Sequence, residues 1–351
     1  MTGRVWRGTA AAALTALALG TAACGSDDSG SGEAGAGADA TTGKAAKAAV
    51  VVKNFTNPFW VALRDGAQAE GQDLGVEHAV EGGASETDAA GQNAKISTLV
   101  NQGYSCFAAA SVNSTNVITP LLAASRKGHP IISLDTPINP EAADKAGLKL
   151  TSFIGSNNVK VGETAGEYML ELTGGKGKVL LLEGTPGAIP GIDRINGFTQ
   201  AVEGKLEIAQ KTPANFEKNK GLQIAEAMLK AHPDVVGIYA ANDLMALGAA
   251  QAVQNAGKRG KIHVIGNDGI KEPLEAVASG KLAGTVSQYP YVMGVMAIDA
   301  CQALADGKTV PAVVESPIQM IKKEEAAQAI AAFPKPYFDY ENPLRALAEQ
   351  Q

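Results

Sequence analysis

The chain has 351 residues, 45% hydrophobic and only 5% aromatic, and 30 Lys and Arg against 36 Asp and Glu give a formal net charge of −6. That length accommodates two lobes of ordinary domain size, and without a basic cluster nucleic acid is not expected as a partner. Four scattered His, at 78, 129, 232 and 263, show no metal-ligand spacing, so neither a metal nor another cofactor is expected.

Residues 1–23 read as an export signal, because Arg4 and Arg7 precede an apolar run at 9–19. That run is well short of the roughly 20 residues a spanning helix needs. Thr21-Ala22-Ala23-Cys24 resembles a bacterial lipobox, in which the Cys is lipidated and anchors the protein to the membrane. Residues 24–45 are rich in Gly, Ala, Ser, Asp and Thr and read as a flexible tether.

The body opens with Val50-Val51-Val52-Lys53, a β-branched strand that runs into Asn57-Pro58-Phe59-Trp60. Asn57 suits a helix cap and Pro58 the first helical position. Phe59 and Trp60 put flat apolar faces beside amide groups, which fits a sugar ring with its rim of hydroxyls, and equally fits a cap with two core aromatics. Further strand-like runs follow at 76–80, 106–110, 131–134, 178–182, 235–240 and 263–265. Amphipathic helical stretches at 89–102, 159–172, 222–231 and 244–256 alternate with them. The alternation predicts an α/β chain with parallel sheets covered by helices on both faces. A first pass of the pattern closes near Leu134-Asp135 and a second runs from after Gly155 to about Gln288, so two doubly wound lobes are expected with a cleft between them. Ligands bind beyond the carboxyl ends of such strands. The residues there, 53–57, 135–136, 184–194, 242–243, 267–268 and Gln288, are mostly hydrogen-bonding types.

Taken in order, Asn57-Pro58-Phe59-Trp60, Leu134-Asp135, Arg194-Ile195-Asn196-Gly197-Phe198, Pro213-Ala214-Asn215-Phe216, Ala241-Asn242-Asp243, Gly266-Asn267-Asp268-Gly269 and Gln288 closely resemble the sugar-binding proteins of bacterial ABC importers, the type I periplasmic group typified by ribose-binding protein. The resemblance implies two doubly wound parallel-sheet lobes joined by a three-segment hinge near 153–157, 286–290 and 317–320. It places residues 46–156 plus 289–317 in the N-terminal lobe and 157–288 plus 318–333 in the C-terminal lobe. It also implies ligand contacts at Lys53, Asn57, Phe59, Trp60, Asp135, Thr136, Arg194, Phe216, Asn242, Asn267, Asp268 and Gln288. Asn242 and Asp243 also suit helix caps, which is the main reading for Asp243. Four positions depart from the ribose pattern. Thr136 stands where an Arg is usual, Lys53 replaces a small hydroxyl residue, Asn267 replaces an aromatic, and Trp60 is larger than the usual Phe. The implied ligand is a monosaccharide, pentose or hexose, or a related polyol. The implied partners are a membrane permease with its ATPase, or alternatively a membrane receptor or kinase to which a sugar sensor reports. A monomer is expected.

No P-loop, Gly-x-Ser-x-Gly elbow or strand-borne Gly-x-Gly-x-x-Gly is present, so no enzyme is indicated. An Asp135 and Asp268 pair could serve a glycosidase, but the neighbouring residues favour holding a whole monosaccharide. No basic helix-turn-helix precedes residue 48, which argues against a DNA-binding regulator. Cys106 and Cys301 lie in apolar runs and read as buried free thiols in preference to a disulfide. Pro334, Pro336 and Pro343 suggest an extended strap in the tail at 334–351, with a short helical turn at 344–347.

Overall fold

The computed structural model describes residues 46–349, so the expected export signal, Cys24 and the whole of the expected tether lie outside the described residues. In chain order the first run comprises β1 (Lys47–Val52), α1 (Pro58–Asp73), β2 (Glu77–Gly82), α2 (Ala89–Asn101), β3 (Cys106–Ala109), α3 (Ile118–Arg126), β4 (Ile131–Leu134), α4 (Pro140–Ala146) and β5 (Ser152–Gly155). The second comprises α5 (Asn158–Thr173), β6 (Lys178–Glu183), α6 (Ile189–Val202), β7 (Glu207–Pro213), α7 (Lys218–Ala231), β8 (Val235–Ala240), α8 (Asp243–Asn255), β9 (His263–Asp268), α9 (Lys271–Ala278) and β10 (Gly284–Ser287). Then follow α10 (Pro290–Ala305), β11 (Val313–Glu315), β12 (Gln319–Ile321), α11 (Lys323–Ala332) and α12 (Arg345–Glu349).

These strands form two six-stranded sheets, ordered β11-β5-β4-β3-β1-β2 and β12-β10-β9-β8-β6-β7. Every pairing is parallel except the antiparallel β10 to β12. Val50, Val51 and Val52 are at most 1% exposed, as expected of strands covered by helices on both faces. The expectation of two doubly wound α/β lobes is met. Local pattern missed β7, whose sequence Glu-Ile-Ala-Gln-Lys-Thr-Pro lies half-exposed at a sheet edge and lacks the apolar run of the inner strands.

The chain passes between the sheets after β5, after β10 and between β11 and β12. These passages are tied together: Ser316 donates its amide to the Gly155 carbonyl at 2.9 Å and its hydroxyl to the Gln288 carbonyl at 2.7 Å. Beside them Tyr289 sits in the left-handed region at φ 53°. In the second lobe α5 lies so close on α6 that a Cβ on Gly162 would collide with the Arg194 carbonyl, so glycine there sets the depth at which Arg194 enters the cleft.

Cys106 and Cys301 are joined in a disulfide, which corrects the expectation of free thiols. Each occupies a core position in its own element, and that is what the local sequence reports. The topology brings α10 back onto β3 across 195 residues that include most of the second lobe, from α5 to β10, a return that local pattern does not encode.

Candidate functional site

The strand ends of both sheets converge on one cleft, lined by Lys53, Asn57, Phe59, Trp60, Glu86, Asp135, Pro190, Arg194, Phe216, Asn242 and Asp268. None of the charged, amide and aromatic side chains among these is more than 7% exposed. The lobes are therefore closed over the site.

The first-lobe wall starts at the end of β1. The Asn54 side-chain carbonyl accepts from the Thr56 amide, the Thr56 hydroxyl and the Asn57 amide, each at 2.9 Å, and so shapes the turn before α1. Asn57 caps α1 by accepting from the Phe59 amide at 3.0 Å. Its Nδ2 donates to Glu86 Oε1 at 2.8 Å, and Trp60 Nε1 donates to that same oxygen at 2.9 Å. Phe59 and Trp60 meet edge to face with centroids 4.8 Å apart. Lys53 Nζ stands 5.4 Å from the Trp60 ring and 5.5 Å from that of Phe216 in the other lobe. Among the described residues, neither the Lys53 ammonium nor Glu86 Oε2 has a hydrogen-bond partner.

The second-lobe wall is organised by Arg194. Its Nε donates to Asn158 Oδ1 at 2.8 Å, Nη1 to the Ala241 carbonyl at 2.7 Å and Nη2 to Gln288 Oε1 at 2.9 Å. Asp268 Oδ1 lies 3.7 Å from Nη1 and accepts from Gln288 Nε2 at 2.9 Å. The guanidinium is thus held in a fork that neutralises a buried carboxylate. Asn158 also donates to the Ser156 carbonyl at 3.1 Å, and Gln288 lies on the second passage between the sheets, so this cluster reaches the hinge.

Three cleft residues hold left-handed backbone without being glycine: Asp135 at φ 55°, Phe216 at 62° and Asp268 at 135°. Each such position costs on the order of 1–3 kcal/mol, and strain of this kind gathers where side chains must be aimed. Burial pushes the Asp135 carboxyl above its ordinary range, opposed by the Lys53 and Arg194 charges and a hydrogen bond from Thr136. Burial likewise raises Asp268 well above its ordinary range, opposed by Arg194 and reinforced by the like charges of Asp243 and Asp135.

Of the residues singled out from sequence, Lys53, Asn57, Phe59, Trp60, Asp135, Arg194, Phe216, Asn242 and Asp268 come together at the cleft. Thr136, Asn267 and Gln288 stand behind its walls. The fully buried Thr136 donates its hydroxyl to Asp135 Oδ2 at 3.1 Å. Asn267 donates to the Tyr239 hydroxyl at 3.0 Å and the Ala240 carbonyl at 2.9 Å, because successive strand residues face opposite sides and Asp268 takes the cleft side. Gln288 links Arg194 to Asp268. The cap of α8 is Asn242, accepting from the Met245 amide at 2.9 Å. Asp243 does not cap it, contrary to expectation. Its carboxylate instead accepts from the Gly269 amide at 2.8 Å, the Ile270 amide at 3.2 Å and the Thr285 hydroxyl at 2.6 Å, fixing the turn that carries Asp268, and burial pushes it up to about 7.

Glu86 was missed from sequence. It sits four residues past the end of β2, on a loop fixed by Asp88, which accepts from the Ala84 and Gly91 amides at 2.8 Å each. The signal was present, since an acidic residue beyond a parallel strand end is a candidate by the same rule that found Asp135.

A model of the periplasmic binding protein domain matches residues 48–309. The chain belongs to the periplasmic binding protein family. This binding protein is 35% identical over 271 residues to the D-allose-binding periplasmic protein of Escherichia coli, covering 76% of this chain and 87% of that one. It is 32% identical over 269 residues to the ribose import binding protein of Bacillus subtilis, covering 77% and 85%. Among solved structures, an ABC transporter periplasmic solute binding protein from Actinobacillus succinogenes with bound D-allose superposes with a TM-score of 0.77 at 29% identity, covering 80% of this chain and 99% of that one. These relatives are binding proteins of transporters, not enzymes, and the two-lobed architecture of this chain is the type I form.

Proposed function

We propose that the protein captures a monosaccharide in the cleft between its lobes, a hexose of the D-allose type in preference to a pentose or a polyol, and delivers it to a membrane permease and its ATPase. The exported protein acts outside the cytoplasm as a monomer, tethered to the outer face of the membrane through a lipidated Cys24. The observation that carries this reading is the chemistry left open on the first-lobe wall. A buried ammonium at Lys53 and a free carboxylate oxygen on Glu86 flank the Trp60 face. Lys53 donates to no acceptor among the described residues, so a ligand oxygen in the cleft takes its hydrogen bond without displacing a protein partner. A sugar hydroxyl can accept from Lys53 and donate to Glu86 while the ring lies against the aromatic face. The relatives named for D-allose support the choice of hexose.

Closure around the sugar removes it from water and strengthens each hydrogen bond. Lys53, Asn57, Phe59, Trp60, Glu86 and Asp135 make the first-lobe contacts. Arg194, Phe216, Asn242 and Asp268 make those of the second, with Thr136, Asn267 and Gln288 holding them. The test is a thermal-shift panel of D-allose, D-ribose, myo-inositol and glycerol on ligand-free protein. A ligand at about 100 times its dissociation constant adds roughly 2.7 kcal/mol of stability. D-allose is expected to give the largest shift, and a panel without any shift overturns the reading.

A further inference from the structure

The family match ends at residue 309, and the chain beyond it does something the three hinge passages do not account for. Helix α11 belongs to the second lobe, where Ala326 and Ala329 join the core packed under sheet β12-β10-β9-β8-β6-β7. Helix α12 belongs to the first, where Leu347 packs on the core that contains Trp60 and α10, and Leu344, just before the helix, is fully buried in it. The segment between them therefore crosses from one lobe to the other. Tyr337 packs on the second-lobe core, Phe338 and Tyr340 on the first-lobe core, and Phe333 touches both.

The crossing runs along the hinge. Phe338 meets Tyr289 edge to face at 5.5 Å, and Tyr289 is the left-handed residue of the second passage. Lys335 Nζ lies 5.5 Å from the Tyr291 ring at the start of α10. Beyond the crossing the end of the chain is fastened by polar contacts. Asn342 Nδ2 donates to Asp299 Oδ2 at 2.6 Å, Arg345 pairs with Glu70 and with Asp73 at 2.7 Å, and Lys308 Nζ donates to the Leu347 carbonyl at 2.6 Å. Single exposed ion pairs contribute little, but Leu344 and Asn342 are anchored among buried groups of α10.

We infer that residues 333–349 form a fourth connection between the lobes, a strap across the hinge that limits how far the cleft opens when no sugar is bound. Hinge motion needs backbone rotation at the three passages, and a fastened fourth segment beside Tyr289 must stretch or detach for the lobes to part. The strap keeps the ligand-free protein nearer the closed form, so less of the sugar's binding energy is spent on closure. The effect on affinity rests on the sugar-binding reading above; the effect on opening does not.

Labels at Thr115→Cys and Asn219→Cys, exposed positions following strand ends of opposite lobes, report opening as a spin-label distance in the full chain carrying Cys24→Ser. Three chains are compared: the unaltered strap, a chain ending at residue 333, and a chain with ten Gly and Ser residues inserted between Tyr337 and Phe338. The insertion leaves both docking patches in place and removes only the tension, so a segment that merely covers the first-lobe core is unaffected by it. The expected result is a longer and broader ligand-free distance in the slackened and truncated chains, with a D-allose dissociation constant raised roughly 3- to 10-fold by the smaller closed population. An unchanged ligand-free distance in the slackened chain overturns the strap. Failure of D-allose to shorten the distance in the unaltered chain counts against the sugar reading instead, while the ligand-free comparison still decides the strap.

Discussion

The two walls of the cleft are built on opposite terms. On the second-lobe wall nearly every polar group is already engaged: Arg194 donates to Asn158, Ala241 and Gln288, and Gln288 in turn holds Asp268. On the first-lobe wall the Lys53 ammonium lies over aromatic rings within reach of the Asp135 charge but donates no hydrogen bond to the described residues, and one carboxylate oxygen of Glu86 gathers two donors while the other is left open. The difference separates two tasks. The engaged wall carries cohesion and reaches the hinge through Asn158 and Gln288, whereas the open wall is where a ligand's own donors and acceptors change the energy most.

The sharpest way to break this comparison is Arg194→Ala. It leaves Asp268 buried without its counter-charge, which costs about 3–5 kcal/mol, so a large fall in melting temperature and loss of sugar binding are expected together. A variant as stable as the parent would show that the wall is not held by Arg194. Next comes removal of the Cys106 to Cys301 bond by Cys301→Ala with Cys106→Ala. The expected loss is about 2–5 kcal/mol by chemical denaturation, with sugar affinity preserved in the folded protein because the bond lies in the body of the first lobe and not on its wall.

Lys53→Met and Glu86→Gln should behave in the opposite way to Arg194→Ala. Charged hydrogen bonds contribute about 1.5–3 kcal/mol each, so titration should show a roughly 10- to 100-fold loss of D-allose affinity with little loss of stability. Lys53→Met also withdraws a charge that opposes the burial of the Asp135 carboxylate, so a small loss of stability in the ligand-free protein is expected beside the loss of affinity. The smallest effect is on pH dependence. Asp135 and Asp268 already titrate above their ordinary range because of burial, and sugar hydroxyls donate to the ionised form. Binding therefore lowers these values and releases protons, so affinity falls as the solution is acidified. A titration series at falling pH checks the sign, and tighter binding in acid would contradict it.

Much of this was legible in the sequence because parallel sheets are explicit about themselves. Inner strands such as β1 and β6 are continuous apolar runs, and the ligand side lies at their carboxyl ends, so Asp135, Asn242 and Asp268 could be read by position alone. The errors share one cause, which is that side-chain direction and long-range return are not local properties. Asn267 and Asp268 are adjacent, yet only one faces the cleft, and the cap of α8 falls to Asn242 because Asp243 is drawn to the Gly269 turn. Glu86 lies beyond two glycines and off the end of its strand. The disulfide needs α10 to return across most of a lobe, and β7 is an edge strand whose polar sequence carries no burial signal.

The account's central claim is tested most directly by one titration. In the full chain carrying Trp6→Phe, Trp60 is the sole tryptophan, and it stands in the cleft with its Nε1 on Glu86. Added D-allose should change its fluorescence saturably with one site per chain, and Glu86→Gln should weaken that response at least tenfold. No saturable change with D-allose, in protein freed of co-purified ligand, or an unaltered response in Glu86→Gln, would contradict the claim that the first-lobe wall reads the sugar.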